Sequence, residues 1–354
     1  MSRAVGARGE ALTEIPPDDP QIGYTGYVHR ELVKPAGDAG TAVMRFDREI
    51  DMAGKGYRWD NPGTTISFRT DATEIEAVLN YNDLHVSTSA RNPRGVYAVD
   101  GVFKREWSFK TRQQSVSREP ETVVVRLSNG GVEGFHQYEL FLPYGDSVDF
   151  AGLRVNPGAK FEAADSPAKP RYVAYGDSIT HGFTSSEISK TYPFLIGQKR
   201  GWSVINLGLG GRASTPGDGT LIASLKPDVV TVLMGANDWQ AGVPLEKYRA
   251  NLDAFLSNLR AGSPEVPVYL LTFLWVNPSW NPPAKVADLE SYRQVLREVA
   301  AARKDANLHV IEGPALIDEK PALFDPVPVH PNDAGFAMMA GRLEAQIENL
   351  KKKE

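Results

Sequence analysis

Tyr172-Val-Ala-Tyr-Gly-Asp-Ser-Ile-Thr-His-Gly-Phe183 begins with an apolar run, Tyr172 to Tyr175, that breaks at Gly176 and passes at once to Asp177 and Ser178. The run has the character of a buried strand, and a glycine after such a strand permits a sharp turn. A serine just past the turn then sits at the carboxyl edge of a sheet, where open α/β sheets bind ligands. Gly-Asp-Ser taken alone is equally a plain turn. Three more stretches, at 206–211, 235–239 and 330–335, move the reading to a nucleophile.

Downstream of this stretch, strand and helix patterns alternate. Strands are predicted at 172–175, 203–207, 229–234, 268–273 and 308–312, and helices near 191–200, 217–225, 245–261, 286–303 and 333–350. Continuous apolar strands such as Val229-Val-Thr-Val-Leu-Met imply a sheet covered on both faces, so a parallel sheet between two helical layers is expected. Upstream, from about Ile22 to Val155, the pattern is short and two-periodic. Thr65-Ile-Ser-Phe-Arg, Ile75-Glu-Ala-Val-Leu and Thr122-Val-Val-Val-Arg-Leu alternate between turn signals, and Val96-Tyr-Ala-Val-Asp-Gly-Val-Phe reads as a hairpin closed at Asp100-Gly101. Strands so spaced predict a β-sandwich or jelly roll. Residues 156–170, rich in Pro, Ala and Lys, read as a linker or surface-hugging connection. The expected organisation is a β-sandwich domain at 20–156, a linker at 157–170 and an α/β domain at 171–352.

With 354 residues the chain is long enough for two domains, and its 42% hydrophobic and 23% charged residues are ordinary for a soluble globular protein. A net charge of −5 argues against a general nucleic-acid binder. No apolar run approaches the roughly 20 residues that span a bilayer, so no membrane partner is expected. The absence of cysteine removes disulfides, thiol nucleophiles and thiolate metal sites together. The N-terminus lacks the apolar core of a signal peptide. A leader already removed would mean secretion or the periplasm, and otherwise the cytoplasm is expected.

Each remaining stretch follows a strand. Asn206-Leu-Gly-Leu-Gly-Gly-Arg212 follows the second, where glycines free the backbone to present N–H groups, and Gly211 is the candidate oxyanion donor; a tight turn is the plainer reading. Gly235-Ala-Asn-Asp-Trp239 follows the third, and Asn237 offers a side-chain amide to a developing alkoxide, or else caps the next helix. In His330-Pro-Asn-Asp-Ala-Gly-Phe336 the residues after His330 start a helix, which leaves His330 in the loop at the same sheet edge, as general base toward Ser178.

Ser178, Gly211, Asn237 and His330, in that order, resemble the four blocks of the SGNH (GDSL-type) hydrolases, with Gly176-Asp-Ser-Ile, Gly211, Ala236-Asn-Asp and His330-Pro-Asn as the matching segments. The resemblance covers about 170–350 and implies a flavodoxin-like three-layer α/β/α sandwich. It also implies ester hydrolysis through an acyl-serine, with the N–H groups of Ser178 and Gly211 and the Asn237 amide as oxyanion hole. A jelly roll carrying Arg45-Phe-Asp and Pro62-Gly-Thr-Thr-Ile-Ser-Phe-Arg, joined directly to this domain, is similar to family-two carbohydrate esterases, which remove O-acetyl groups from plant-type polysaccharides. The implied partner is an acetylated carbohydrate such as xylan or glucomannan; no cofactor and no metal are implied.

The family places an aspartate three residues before the histidine, where this chain has Val327. The nearest acid is Asp325, in a segment stiffened by Pro326 and Pro328. Either Asp325 completes a triad from a bulged loop, or Ser178 and His330 act as a dyad with a main-chain carbonyl holding Nδ1–H. Substrate walls are expected from Trp239, from Trp275 and Trp280 on the long loop after the fourth strand, and from Arg212; the plainer readings are a core Trp239, a loop folded onto its own core, and an Arg212 paired with an acid. Two other functions fit the same residues: a lipase, thioesterase or aryl esterase, and a catalytically faded carbohydrate-binding protein.

Overall fold

The computed structural model describes residues 11–34, 42–50, 56–86, 94–104, 120–165, 167–280, 282–324 and 326–352. Among them, no helix is long and apolar enough to cross a membrane.

The second half is built on five parallel strands, β1 (Arg171–Gly176), β2 (Ser203–Gly208), β3 (Val229–Leu233), β4 (Val268–Leu271) and β5 (Leu308–Ile311). Their spatial order is β2-β1-β3-β4-β5, the flavodoxin-like arrangement. Side chains alternate between two cores, as the two-residue period of a strand requires. Val173 and Tyr175 of β1, with Val230 and Val232 of β3, pack toward α3 (Asp218–Ser224), α5 (Leu245–Gly262) and α6 (Leu289–Arg303). Tyr172, Ala174, Val229 and Leu233 face the opposite layer, α2 (Tyr192–Arg200) and α7 (Asp333–Lys351). This double coverage is why the strands read as unbroken apolar runs. The one polar residue in β3, Thr231, is buried and shares a 2.7 Å hydrogen bond with the Tyr172 hydroxyl.

The first half is antiparallel. One sheet runs His29–Val33, Val43–Asp47, Asp146–Val155, Ile75–Val86 and Glu121–Leu127 in spatial order; the other runs Phe161–Glu162, Thr65–Thr70, His136–Phe141, Val96–Val99 and Val102–Phe103. Inward residues of both, among them Phe46, Leu79 and Phe150 from one and Phe68, Tyr97 and Tyr138 from the other, make a single core, giving the jelly-roll-like layer expected from the alternation. The hairpin at Asp100-Gly101 forms, with φ of 50° and 77° at those two residues, a geometry that the Asp-Gly pair tolerates. Within the segment read as a connection, Phe161 and Glu162 pair with Thr70 and Arg69, so part of it lies in the sheet.

The halves are tied together. Val96, Ala98, Phe141 and Tyr144 of the sandwich share an apolar cluster with Ile188 and Phe194. Arg48, almost fully buried, reaches across to donate to the main-chain carbonyls of Asn206, at 3.2 Å, and Gly208. The backbone of Gly26 approaches the same strand so closely that a Cβ there would lie 2.9 Å from the Val204 carbonyl oxygen.

Candidate active site

The break after β1 produces a short helix, α1 (Ser178–His181), that the sequence pattern had not suggested. Asp177 caps it, its carboxylate accepting from the Ile179 N–H at 2.9 Å, and Gly182 ends it with φ of 106°. The amides of Gly182 and Phe183 both donate to the Ser178 carbonyl, at 3.1 and 3.0 Å, which fixes the main chain of the nucleophile candidate. Gly176 is required here by contact: a Cβ would lie 2.6 Å from the Leu233 carbonyl oxygen.

His330 approaches from the far side, with Nε2 2.8 Å from Ser178 Oγ. Its loop is held at several points. The His330 N–H donates to the Val327 carbonyl at 3.0 Å, Asn332 caps α7 by accepting from the Gly335 N–H at 3.1 Å, and the Thr184 hydroxyl donates to the Pro331 carbonyl at 2.7 Å. Asp333 does more than start the helix. It accepts from the Ser186 N–H at 2.8 Å, the Ser186 hydroxyl at 2.6 Å and Lys190 Nζ at 2.9 Å, pinning α7 to the segment after Ser178. Burial alone would raise the Asp333 carboxyl, but these hydrogen bonds hold it below its ordinary value. Asp325 lies outside the described residues.

Gly211 is exposed in a turn closed by the Arg212 N–H on the Leu209 carbonyl at 3.1 Å, and its φ of 80° is a conformation glycine adopts without strain. A second short helix, α4 (Ala236–Ala241), carries Asn237, whose amide donates to the Asp177 carboxylate at 3.4 Å. Ser178, Gly211, Asn237 and His330 are all accessible to solvent, at the strand ends around the switch point between β1 and β3.

Asp238, which the sequence assigns to local turn structure, and Ser214, which it does not single out, lock this arrangement. Asp238 is fully buried and accepts from the Ser214 hydroxyl at 2.6 Å and the Ser214 N–H at 3.1 Å. The turn bearing Gly211 is thereby fastened to the helix bearing Asn237. An acid directly after Asn237 was the available signal, but a contact 24 residues away leaves no local trace.

The residues predicted as substrate walls divide. Arg212 is buried, paired with Asp218 and donating to the Tyr175 hydroxyl at 2.9 Å; it faces the helical layer, so its acid-pairing alternative describes its position. Trp239 is likewise buried, its indole N–H donating to the Ala287 carbonyl at 3.1 Å. Trp280 packs edge-on against Trp239 with 5.6 Å between centroids, and Trp275 packs against Phe324 at 5.5 Å; both are half-buried. The ring beside His330 is instead Phe183, edge-on at 5.7 Å, and it also crowds Gly210, where a Cβ would lie 2.9 Å from the ring.

Asp177 is the most perturbed acid of the cluster. Burial pushes its pKa up to about 7 from 3.8, against the lowering effect of the Ile179 N–H. The folded state therefore binds a proton that the unfolded chain has lost. This contribution to stability is fully present below pH 3.8 and is lost as pH rises through about 7. Asp177→Asn, which keeps an oxygen for the Ile179 N–H, is expected to remove that part of the decline. Chemical denaturation from pH 4 to pH 8 checks it; the same slope in both proteins would show that Asp177 ionises freely in the fold.

Residues 174–338 match the GDSL-like lipase/acylhydrolase family. No curated protein matches the chain by sequence. The fold as a whole is shared with solved structures. The salicylyl-acyltransferase SsfX3 from a tetracycline biosynthetic pathway aligns over 97% of this chain and 99% of its own, with 23% identity and a TM-score of 0.81. A family-two carbohydrate esterase from Clostridium thermocellum in complex with cellohexaose aligns over 93% and 98%, with 18% identity and a TM-score of 0.66. The acetyl xylan esterase Est2A from Butyrivibrio proteoclasticus aligns over 96% and 99%, with 13% identity and a TM-score of 0.63.

Proposed function

Residues 174–338 being a GDSL-type hydrolase domain, we propose that the protein is a serine esterase that removes O-acetyl groups from a carbohydrate through an acyl-serine intermediate. The observation that carries this reading is the 2.8 Å separation of His330 Nε2 and Ser178 Oγ, a nucleophile and base within proton-transfer reach at an open sheet edge. His330 takes the Oγ proton as Ser178 attacks the acetyl carbonyl. The oxyanion is stabilised by the main-chain N–H groups of Ser178 and Gly211 and the Asn237 amide, each worth about 10²–10³ in rate. His330 then protonates the departing sugar oxygen. Water, deprotonated by His330, attacks the acyl-serine; His330 returns that proton to Ser178 Oγ as the acyl bond breaks, and acetate leaves. Support for a carbohydrate acceptor comes from the two-domain fold, which is shared with a cellohexaose-bound esterase and an acetyl xylan esterase.

A second reading is favoured by the fold shared with the salicylyl-acyltransferase and by the phenyl ring of Phe183 beside His330. In it an aromatic acyl group is carried on Ser178 and passed to an alcohol rather than to water. The test is acetate release from acetylated xylan and glucomannan, with Ser178→Ala and Asp325→Ala alongside. Release by the wild type and none by Ser178→Ala is expected. Loss of several orders of magnitude in Asp325→Ala would indicate a triad, and near-normal activity a dyad. No acetate, with turnover of aryl or longer acyl esters or acyl transfer to an added alcohol, would replace the acetyl reading.

A further inference from the structure

The turn that begins with Ser178 ends in a buried histidine, and a carboxylate from the other half of the molecule meets it. His181 closes α1 and is fully buried. Its Nε2 stands 3.1 Å from Oδ2 of Asp60, an equally buried residue of the β-sandwich half. Three rings enclose the imidazole, with centroids at 4.5 Å for Tyr144, 5.0 Å for Phe183 and 5.8 Å for Tyr57. Phe183 stacks on Tyr144 at 5.7 Å and turns its other flank to His330, also at 5.7 Å. Packed rings therefore run without a break from the Asp60–His181 contact to the base candidate.

The main chain couples the same elements. The His181 N–H donates to the Asp177 carbonyl at 2.9 Å, and the Phe183 N–H to the Ser178 carbonyl at 3.0 Å. A displacement of His181 therefore moves the residues that present both Ser178 and Phe183. Neither apolar burial nor strand pairing calls for a carboxylate and an imidazole at this depth. Taking both groups out of water is costly, and in some proteins such pairs serve a unique geometry rather than raw stability.

We propose that Asp60 and His181 are a positioning pair for the esterase reaction, by which the β-sandwich sets the alignment of Ser178 with His330 through α1 and Phe183. The inference rests on the esterase reading above. The sandwich is then part of the catalytic unit even where none of its residues touches substrate. Misplacement of reacting groups by about 1 Å costs on the order of 10²-fold in rate, which sets the scale of the effect.

The test uses the full chain carrying Asp60→Asn, His181→Gln, the two combined, and Phe183→Leu. Steady-state hydrolysis of p-nitrophenyl acetate is measured together with the rate of fluorophosphonate labelling of Ser178. For Asp60→Asn the expected result is a kcat about 10- to 100-fold lower with KM unchanged, and labelling slowed by the same factor. The double variant should be no worse than the more impaired single, as for two members of one device. Wild-type kcat and labelling in folded Asp60→Asn would overturn the proposal, and so would a raised KM with unchanged kcat, which would make Asp60 part of substrate binding. Should Asp60→Asn fail to fold, Phe183→Leu decides: it leaves the buried pair intact, and wild-type labelling there also overturns the proposal. Failure of the esterase reading looks different, because the wild type itself would then not be labelled.

Discussion

Ser178→Ala is expected to lower kcat for ester hydrolysis by about 10⁴- to 10⁶-fold, as loss of a serine nucleophile does where no other group can replace it. The fold should not change. Ser178 is the first residue of α1, whose cap comes from Asp177 and whose end comes from Gly182, so the helix does not depend on the hydroxyl. Oγ makes a 2.8 Å contact with His330 Nε2, and its loss leaves that ring nitrogen beside solvent, not in a dry cavity. The residual rate would come from the oxyanion donors acting on a carbonyl attacked by water. His330→Ala should cost a similar amount, and the double variant little more, because the two act as a unit. Initial rates with calorimetry on the same samples separate activity from stability. Retention of more than a few per cent of wild-type kcat in folded Ser178→Ala would remove Ser178 as nucleophile and leave the chemistry to another residue.

Gly208→Ala is expected to combine a large loss of stability with a large loss of activity. Gly208 ends β2, paired with Gly176, and α1 lies directly on it. A Cβ at this position would sit 2.0 Å from the His181 amide nitrogen, 2.4 Å from the Thr180 carbonyl carbon and 2.6 Å from His181 Cα. All three are main-chain atoms, so no rotamer change relieves the overlap. The helix carrying Ser178 must lift away, and overpacking of this kind costs about 1–3 kcal/mol and sometimes more. The accompanying shift of Ser178 should reduce kcat by about 10²-fold or beyond. Gly341→Ala is the matching control, since that glycine is exposed within α7 with nothing near its Cβ position. Alanine there should stabilise the protein by about 0.5–1 kcal/mol through helix propensity and leave activity alone. Equal melting temperatures and rates for Gly208→Ala and the wild type would mean that α1 has room to move.

The fold was largely legible in the sequence because it rests on periodicity. Five largely apolar runs, four of them ended at glycine, predicted the parallel sheet, and clean alternation upstream predicted the sandwich. Among the α-helices, those missed are α1 and α4, of four and six residues, which are too short to show a helical repeat. Their caps are Asp177, in a segment equally readable as a turn, and Gly235. In the site, motif spacing pointed to Ser178 and His330, which the fold brings together from 152 residues apart. The surroundings were less legible. An arginine or a tryptophan near a motif carries no sign of which way it faces, and Arg212 and Trp239 turn inward to buried partners. His181 and Asp60 illustrate the opposite case. Each is ordinary alone, and only the docking of the two halves brings them to 3.1 Å from one another.

The way the sandwich meets β2 bears on how this chain avoids sticking to its neighbours. That strand is one of the two edges of the parallel sheet, β5 being the other. Alternate carbonyls along a strand point the same way, and those of Val204, Asn206 and Gly208 face the sandwich, met by the Gly26 backbone and the Arg48 guanidinium. Left open, such a row of acceptors is a template on which a second chain can add a strand. Synthesis makes the sandwich first, so the cover precedes the strand it covers. The N-terminal half thus covers one edge of the parallel sheet, and the second half produced alone would present that edge bare.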